Sequence, residues 1–450
     1  MLQRLQTLTK IRQGEWHLVV PLVFMLLLNT AVYELSDVVA TAGFISTLGT
    51  EQFLWLWPIS MVITLFATGG YALIVDKVPR IKLLHWLLLA FGSLYVLVFG
   101  LFAFGAPAWL TYPLLMILGE QQIAVFPLAF WALASDVYST ADAKRLFPIL
   151  AAGAAFGSLI GNILAGSLAI WFKNNPNHRS WEALLICAVL CFVAWNIVHF
   201  AFRKREIRAR QSKQIHDSMR ETFKVGADVI RNVPLFSLLA IVLFATGITF
   251  TIIEFHFLLS LDVIATADPL NFQRLYGFYK VALVLMLMTF QWFIASRWLG
   301  KVHPKVGFVI LPLVLLAATL GMLIQPILGG VVGRFVARIT QGGWDEPLRK
   351  SVQSIVPDER RGRVSVFLDT YCYSLATIIG CGLLSLTMSG AWFGWLSAAT
   401  STTIYSILGI VAALAGVWAA WRIRTVYDKS LLNWRLSRTR RRSVLDGIEF

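Results

Sequence analysis

Arg334 and Arg338 are the strongest candidates for chemistry in this sequence. They lie in an apolar run, GGVVGRFVARIT, and their spacing of four places both guanidinium groups on one face of a helix. A guanidinium presents a planar fork of N–H donors that matches phosphate and carboxylate oxygens. The two arginines therefore predict an anion-binding site near mid-membrane depth, and the alternative is a structural ion pair with Glu254 or Glu120.

Two carboxylates, Glu34 and Glu254, occupy similar positions in apolar runs 220 residues apart. An ionised side chain inside a membrane costs roughly 3 kcal/mol on insertion scales, so each glutamate needs a cavity, a partner or a function. One interpretation is that each faces a cavity, where it carries a proton or contacts a bound solute. The other is a structural hydrogen bond between helices. Asp37, one turn from Glu34, shares both interpretations.

Three further polar residues in apolar runs are candidates for solute contact. Lys280, in YGFYKVALV, either joins the arginines at an anion site or extends its ammonium group to the outer membrane interface. Glu120 and Gln121 begin the polar cluster Glu120-Gln121-Gln122, which is expected to face the protein interior, where it could contact a solute.

The composition predicts an all-α polytopic membrane protein. Hydrophobic residues make up 58% of the 450 residues and charged residues only 14%, against about a quarter in soluble domains. Runs of roughly 20 apolar residues, the length that spans a bilayer, predict about twelve transmembrane helices. They lie near residues 17–46, 53–75, 83–104, 109–135, 147–172, 181–202, 234–261, 274–298, 306–326, 328–350, 364–388 and 400–421.

Basic residues predict the orientation in the membrane. They concentrate in every second loop, and cytoplasmic loops carry the excess of Lys and Arg, so both termini are expected in the cytoplasm of a multi-pass inner (plasma) membrane protein. The net charge of +15 is assigned to this bias and not to nucleic-acid binding. The basic loops are expected to contact anionic lipids, and the basic tail 422–450 either does the same or serves simply as a topology signal.

An internal repeat divides the chain into halves. Glu34 matches Glu254, and Asp76 matches Ser296, both at an offset of 220, while Arg145 matches Arg363 at an offset of 218. The repeat predicts an N-terminal six-helix bundle (1–202), a cytoplasmic linker (203–232), a C-terminal six-helix bundle (233–421) and the tail. Two bundles with a solute site between them near the midplane are typical of secondary transporters.

Charged residues of the inner loops are interpreted as a gate. Asp136, Lys144 and Arg145 lie in the hairpin after the fourth predicted span, and Arg363 lies at the corresponding place in the second half. We expect salt bridges among such residues to hold the outward-facing state; the alternative is that they contact the cargo.

Enzymatic function is not predicted. The sequence lacks G-x-S-x-G, H-E-x-x-H and Walker motifs, and its four cysteines lie in apolar runs without metal-ligand spacing. No metal and no cofactor are therefore predicted, and transport must use a gradient or exchange.

Two features resemble known transporters. The 6+6 layout with short basic loops resembles the major facilitator superfamily. The stretch FWALASDVYSTADAKRLFPILAAGAAFGSLIGNILAG, from Phe130 to Gly166, resembles the nucleotide transporter (ATP/ADP translocase) family in its Phe-Trp pair, Asp136, Ala-Lys-Arg, Phe-Pro and glycine-rich helix. Where energy-parasite members are expected to carry a lysine in the first span, in N-L-K-D, this chain has E-L-S-D, which marks it as a divergent relative.

The sequence thus predicts a secondary transporter or exchanger that moves a small, anionic, nucleotide-like or phosphorylated metabolite by alternating access. One alternative is a proton-coupled facilitator of another organic solute, with Glu34 or Glu254 as the proton carrier. Another is a non-transporting membrane partner protein that kept the fold. The sequence predicts a small-molecule cargo and lipid contacts but no oligomeric state.

Overall fold

The computed structural model describes residues 11–12, 15–74, 78–203, 231–295, 297, 302–353 and 364–445, and every regular element in these ranges is helical. We number the twelve long helices in chain order. They are α1 Trp16–Leu48, α2 Phe53–Ile74, α3 Arg80–Ala103, α4 Ala108–Val137, α5 Thr140–Asn174, α6 Ala183–Phe202, α7 Pro234–Ala267, α8 Pro269–Phe290, α9 Ile310–Ile324, α10 (326–353), α11 Val364–Trp392 and α12 Ala398–Leu445.

Eleven of the helices in the described ranges are long and apolar enough to cross a membrane. The helix that falls short is α10, which corresponds to the predicted span 328–350. It consists of the α-helix Pro326–Thr340, a π-turn Gln341–Asp345 and the α-helix Glu346–Gln353. Its charged residues lower its hydropathy, so its placement among the spans follows from the fold and not from composition.

The chain divides into two compact units by internal contacts. Unit 1 comprises Met1–Gln52, Val62–His216 and Leu261–Met286; unit 2 comprises Phe53–Met61, Asp217–Ser260 and Leu287–Phe450. Helices α2, α7 and α8 each contribute residues to both units. Most of the predicted linker, 204–230, lies outside the described residues, and the two-bundle boundary at 203–232 stays a prediction.

A glycine seam joins α1 and α5 in unit 1. Gly153, Gly157 and Gly161 are four residues apart and therefore lie on one helix face. A Cβ atom added at any of them would come within 2.2–2.7 Å of a backbone carbonyl oxygen of α1. The seam thus brings two helix backbones together, which is how membrane helices pack without a hydrophobic driving force.

Among the described residues of unit 2, two apolar clusters belong to the core. One surrounds Leu239 of α7 and Phe308, and the other surrounds Ile252 of α7 and Leu315 of α9. Between them along α7, Leu243, Thr246 and Gly247 line a cavity. The site described next lies beside this cavity.

Candidate functional site

Glu254 of α7 is bound by both arginines of α10. The Nε and Nη2 atoms of Arg334 lie 2.9 and 2.7 Å from Glu254 Oε1. Arg338 Nη2 donates to Glu254 Oε2 at 2.9 Å. One carboxylate therefore holds two guanidinium groups, and the face shared by Arg334 and Arg338 is directed at α7.

The two arginines differ in accessibility. The Arg334 side chain is 7% exposed and lies over the ring of Phe257, with 4.3 Å between Cζ and the ring centroid. The Arg338 side chain is 31% exposed, and its Nη1 donates to Gln341 Oε1 at 3.2 Å. Arg334 is thus packed as an internal partner of Glu254, whereas a solute can reach Arg338.

Arg338 forms part of the wall of a cavity of about 290 Å³ in unit 2. The cavity lies among α7, α9, α10 and α11. Its lining is Leu243, Thr246, Gly247, Phe250, Leu311, Arg338, Gln341, Asp345, Glu346, Arg349, Lys350, Leu368, Asp369 and Tyr373. A cavity lined by Arg338 and by further charged side chains of α10 and α11 can accommodate a charged solute.

The π-turn of α10 shapes this cavity. Gly342 and Gly343 pack on Leu287 and Phe290, and a Cβ added to Gly343 would lie 2.5 Å from the Phe290 ring. Trp344 Nε1 donates to the Gly307 carbonyl oxygen at 3.1 Å, which anchors the turn on its other side. A π-turn changes the phase of a helix, so the side chains after it face a direction that regular helical spacing would not predict.

Unit 1 contains a second intramembrane ion cluster around Lys280. Its ammonium group lies 2.5 Å from Glu34 Oε2 and 2.7 Å from Asp37 Oδ2. Ser158 of the glycine seam donates to Glu34 Oε1 at 2.5 Å. Lys280, a candidate for the arginine site or the outer interface, thus pairs with two candidate carboxylates of α1.

The predicted polar cluster of α4 contributes to the interior of unit 1. Gln122 is fully buried, where it accepts a hydrogen bond from Tyr95 and donates to Asn29. Gln121 Nε2 donates to Thr64 Oγ1 at 3.0 Å. Glu120 is partly buried on the same helix. These contacts link α4 to its neighbours within the unit.

The hairpin after α4 is held by ion pairs. Asp136 pairs with Arg80 at the start of α3 at 2.8 Å. Arg145 of α5 donates to both carboxylate oxygens of Glu15, at 2.6 and 2.8 Å, and to Asp142. Of the other two residues predicted for the gate, Lys144 has its backbone in α5 but its side chain outside the description, and Arg363 lies outside the described residues.

Acid is expected to loosen this hairpin. The hydrogen bond from Arg145 lowers the pKa of Glu15, and those from Ser139 and Arg145 lower the pKa of Asp142. Because both folded pKa values lie below the unfolded ones, the stabilisation is present above about pH 4 and is lost as the pH falls through the folded values. Amide exchange in the first turns of α1 and α5 should accelerate over that range, as hydrogen-exchange mass spectrometry can measure.

The matched control for this prediction is Arg145→Ala. That variant should exchange faster at neutral pH and respond less to acid. An unchanged acid response in Arg145→Ala would contradict the role given to these ion pairs.

One group of charged residues was not predicted as part of a site. Asp345, Arg349 and Asp369 meet within unit 2, where Arg349 Nη1 lies 2.9 Å from Asp369 Oδ1. An available signal was the i, i+4 spacing of Asp345 and Arg349 in WDEPLR, which places both side chains on one helix face. In the described part of the chain, no group of three or more His, Cys, Asp or Glu side chains is placed to hold a metal ion.

The fold is that of major facilitator-type transporters. The chain superposes on a mutant form of the nucleoside transporter NupG with a TM-score of 0.65 at 14% identity, covering 89% of this chain and 99% of that one. A bacterial homologue of the human lysosomal transporter Spinster, in an inward-facing, unoccupied conformation, gives a TM-score of 0.60 at 14% identity, with coverages of 94% and 99%. A mutant form of the peptide transporter POT gives 0.62 at 14% identity, with coverages of 91% and 95%.

These likenesses confirm the predicted all-α, multi-pass fold. A comparison with curated protein sequences gave no match. Because the family described next and the structural relatives are transporters, the prediction that this chain is not an enzyme is also confirmed.

A family model identifies the chain by sequence. The model described as TLC ATP/ADP transporter matches residues 107–341, which is 235 of the 450 residues. The match begins before α4 and runs through both arginines of α10, and it includes the hairpin stretch from which the resemblance was inferred. The chain is a transporter of the major facilitator fold and belongs to the TLC ATP/ADP transporter family.

Proposed function

We propose that this protein is a secondary transporter or exchanger that carries a small anionic metabolite, nucleotide-like or phosphorylated, across the inner membrane by alternating access. The observation that supports this cargo class is the position of Arg338. Its guanidinium is bound to a carboxylate of the protein and also lies in the wall of a cavity.

Anion binding at Arg338 would be an exchange of partners. Glu254 makes two contacts with the buried Arg334 and one with Arg338. An incoming phosphate can replace the single Arg338 contact while Glu254 stays on Arg334. The site thus needs no free charge in its empty state, and the guanidinium fork suits a phosphate group.

The size of the cavity fits part of such a cargo. Small-molecule sites span about 300–1,000 Å³, and this cavity, at about 290 Å³, lies just below that range. It has room for a phosphate-sized group and some of the molecule attached to it.

The family and the fold support the same class. The family description names ATP and ADP, and one structural relative is a nucleoside transporter. The basic inner loops support cytoplasmic termini and contact of the tail with anionic lipids, which complete the proposed arrangement.

Replacing Arg338 with alanine is expected to abolish most anion exchange. A hydrogen bond to a charged group contributes about 1.5–3 kcal/mol, so the apparent affinity should fall roughly 10- to 100-fold. The measurement is uptake of labelled ADP into proteoliposomes loaded with ATP. Arg338→Lys, which keeps the charge but loses the fork, should give an intermediate value.

Arg274→Ala is the matched control, because Arg274 is exposed and its guanidinium donates to Asn271 in unit 1. That variant should transport at the wild-type rate. Wild-type kinetics in Arg338→Ala would refute the role of Arg338. A wild-type protein that exchanges none of ATP, ADP and inorganic phosphate would contradict the proposed cargo class.

A further inference from the structure

Two aspartates lie on facing π-turns of unit 2. Asp345 ends the π-turn Gln341–Asp345 of α10, and Asp369 is the third residue of the π-turn Phe367–Tyr371 of α11. Both line the cavity described above. π-Turns are uncommon and occur frequently at functional sites.

The two aspartates differ sharply in charge compensation. Asp369 receives Arg349 at 2.9 Å and Lys350 at 2.5 Å, and Ser365 donates to it at 2.9 Å. In the part of the chain that the structure describes, a single cationic side chain lies within 4 Å of the Asp345 carboxylate, Arg349 with its Nε at 3.8 Å. That distance is too long for a hydrogen bond.

Asp345 is also the more buried of the two aspartates. Its side chain is 5% exposed, whereas that of Asp369 is 22% exposed. Burial of a carboxylate is costly unless it is paired or takes up a proton. Arg349 is bonded to Asp369 and does not neutralise Asp345. A bound proton would therefore remove the cost of burying the Asp345 carboxylate.

The two glutamates predicted as proton carriers have cations in direct contact. Glu254 is held by two arginines, at 2.7 and 2.9 Å. Glu34 is held by Lys280 and by Ser158, both at 2.5 Å. These contacts stabilise the ionised carboxylate, so both glutamates are poorer proton acceptors than Asp345 on geometry.

The surroundings of Asp345 contain charges of both signs. Its own helix contributes Arg338, Glu346, Arg349 and Lys350, of which Glu346 and Lys350 are exposed. Helix α11 contributes Asp369 and Tyr373, and the lining residues of α7 and α9 are uncharged: Leu243, Thr246, Gly247, Phe250 and Leu311.

We propose that Asp345 is a proton-binding site of this transporter and that its proton determines whether Arg349 remains paired with Asp369. With Asp345 neutral, Arg349 bonds Asp369 and ties α10 to α11. When Asp345 releases its proton to solvent, its carboxylate competes with that of Asp369 for Arg349. The ion pair between Arg349 and Asp369 then weakens. The coupling of that step to cargo movement rests on the function proposed above, whereas the protonation does not.

Infrared difference spectroscopy tests the protonation directly. Purified wild-type protein brought from alkaline to neutral pH, above the range in which Glu15 and Asp142 take up protons, should show a protonated-carboxyl carbonyl band that is missing from Asp345→Asn. The control Glu346→Gln removes an exposed carboxylate one residue away and should keep the band. Loss of the band in Glu346→Gln, or its persistence in Asp345→Asn, would overturn the assignment, whatever solute the protein carries.

Proton movement with cargo tests the coupling. Proteoliposomes holding a pH-sensitive dye should report a pH change when ADP enters wild-type protein, and Asp345→Asn should lose it. ADP entry is measured in parallel, so that the pH change is expressed per ADP transported, and thermal unfolding shows that Asp345→Asn is folded. A pH change of wild-type size in Asp345→Asn, or ADP entry into wild-type proteoliposomes without a pH change, would refute the coupling.

Discussion

Replacing Glu254 with glutamine is expected to lower the free energy of unfolding by about 3–5 kcal/mol, the range found when one partner of a buried ion pair is removed. The carboxylate is shared by two guanidinium groups, so its loss leaves both without their acidic partner. The penalty falls mainly on Arg334, whose side chain is 7% exposed and cannot turn to water.

Denaturation of the purified variant in SDS would measure this loss. Adding ADP should recover more stability in Glu254→Gln than in wild-type protein, because an anion could take the vacated place beside Arg338 and a ligand bound only by the folded state stabilises it. The double variant Glu254→Gln with Arg334→Met should recover part of the loss, since it removes a charge that the single variant leaves buried.

Asp268→Asn is the comparison for this prediction. Asp268 pairs with Lys173 at 2.6 Å, but the two side chains are 38% and 54% exposed. Exposed pairs contribute about 0–1 kcal/mol, so this variant should be nearly as stable as wild type. If Glu254→Gln were no less stable than Asp268→Asn, the ion pairs of Glu254 with the arginines of α10 would not contribute to the free energy of unfolding.

Sequence reasoning succeeded where local composition decides the structure. A bilayer requires about 20 apolar residues in a row, and eleven of the twelve predicted spans coincide with a described helix that is long and apolar enough to cross it; the span 328–350 coincides with α10, which is less apolar. The sequence did not predict the π-turns at 341–345 and 367–371. Gly342 and Gly343 permit the first turn only because Leu287 and Phe290 pack against them, and such contacts between distant residues leave no local signal.

In the charged clusters too, the sequence indicates which residues share a helix face but not which residues they pair with. The spacing of four predicted that Arg334 and Arg338 share a helix face. Whether their partner is Glu254 or Glu120 depends on which helix packs against that face. For Lys280, the sequence predicted either a place at the anion site with the arginines or an ammonium group at the outer membrane interface. The structure places it against Glu34 and Asp37, more than 240 residues away along the chain, a pairing that helical periodicity cannot indicate.

The group formed by Asp345, Arg349 and Asp369 could be recognised only from the sequence and the fold together. WDEPLR shows from sequence that Asp345 and Arg349 share a face. That Arg349 is instead bonded to Asp369 of the next helix follows only from the fold, and this unequal sharing is what makes Asp345 a candidate proton site.

Substituting Gly157 with alanine is expected to destabilise unit 1 by at least about 3 kcal/mol, the upper end of overpacking costs. A Cβ atom there would lie 2.2 Å from the Leu27 carbonyl oxygen and 2.9 Å from its carbonyl carbon. Both atoms are backbone, so no rotation of a side chain can relieve the clash and α1 must move away from α5. Thermal unfolding and the yield of monodisperse protein measure the effect, and Gly157→Leu should give no folded protein.

Gly100 separates this packing effect from the effect of removing a glycine from a helix. It lies within α3, and a Cβ added there would meet nothing within 4 Å. Gly100→Ala should therefore be neutral or stabilising by up to about 1 kcal/mol, because alanine favours helix more than glycine does. Movement of α1 would also displace Glu34, which follows Leu27 by two turns and pairs with Lys280. Equal stability of Gly157→Ala and Gly100→Ala would mean that the seam tolerates a wider helix separation, and the close approach of α1 and α5 could not then be what positions Glu34.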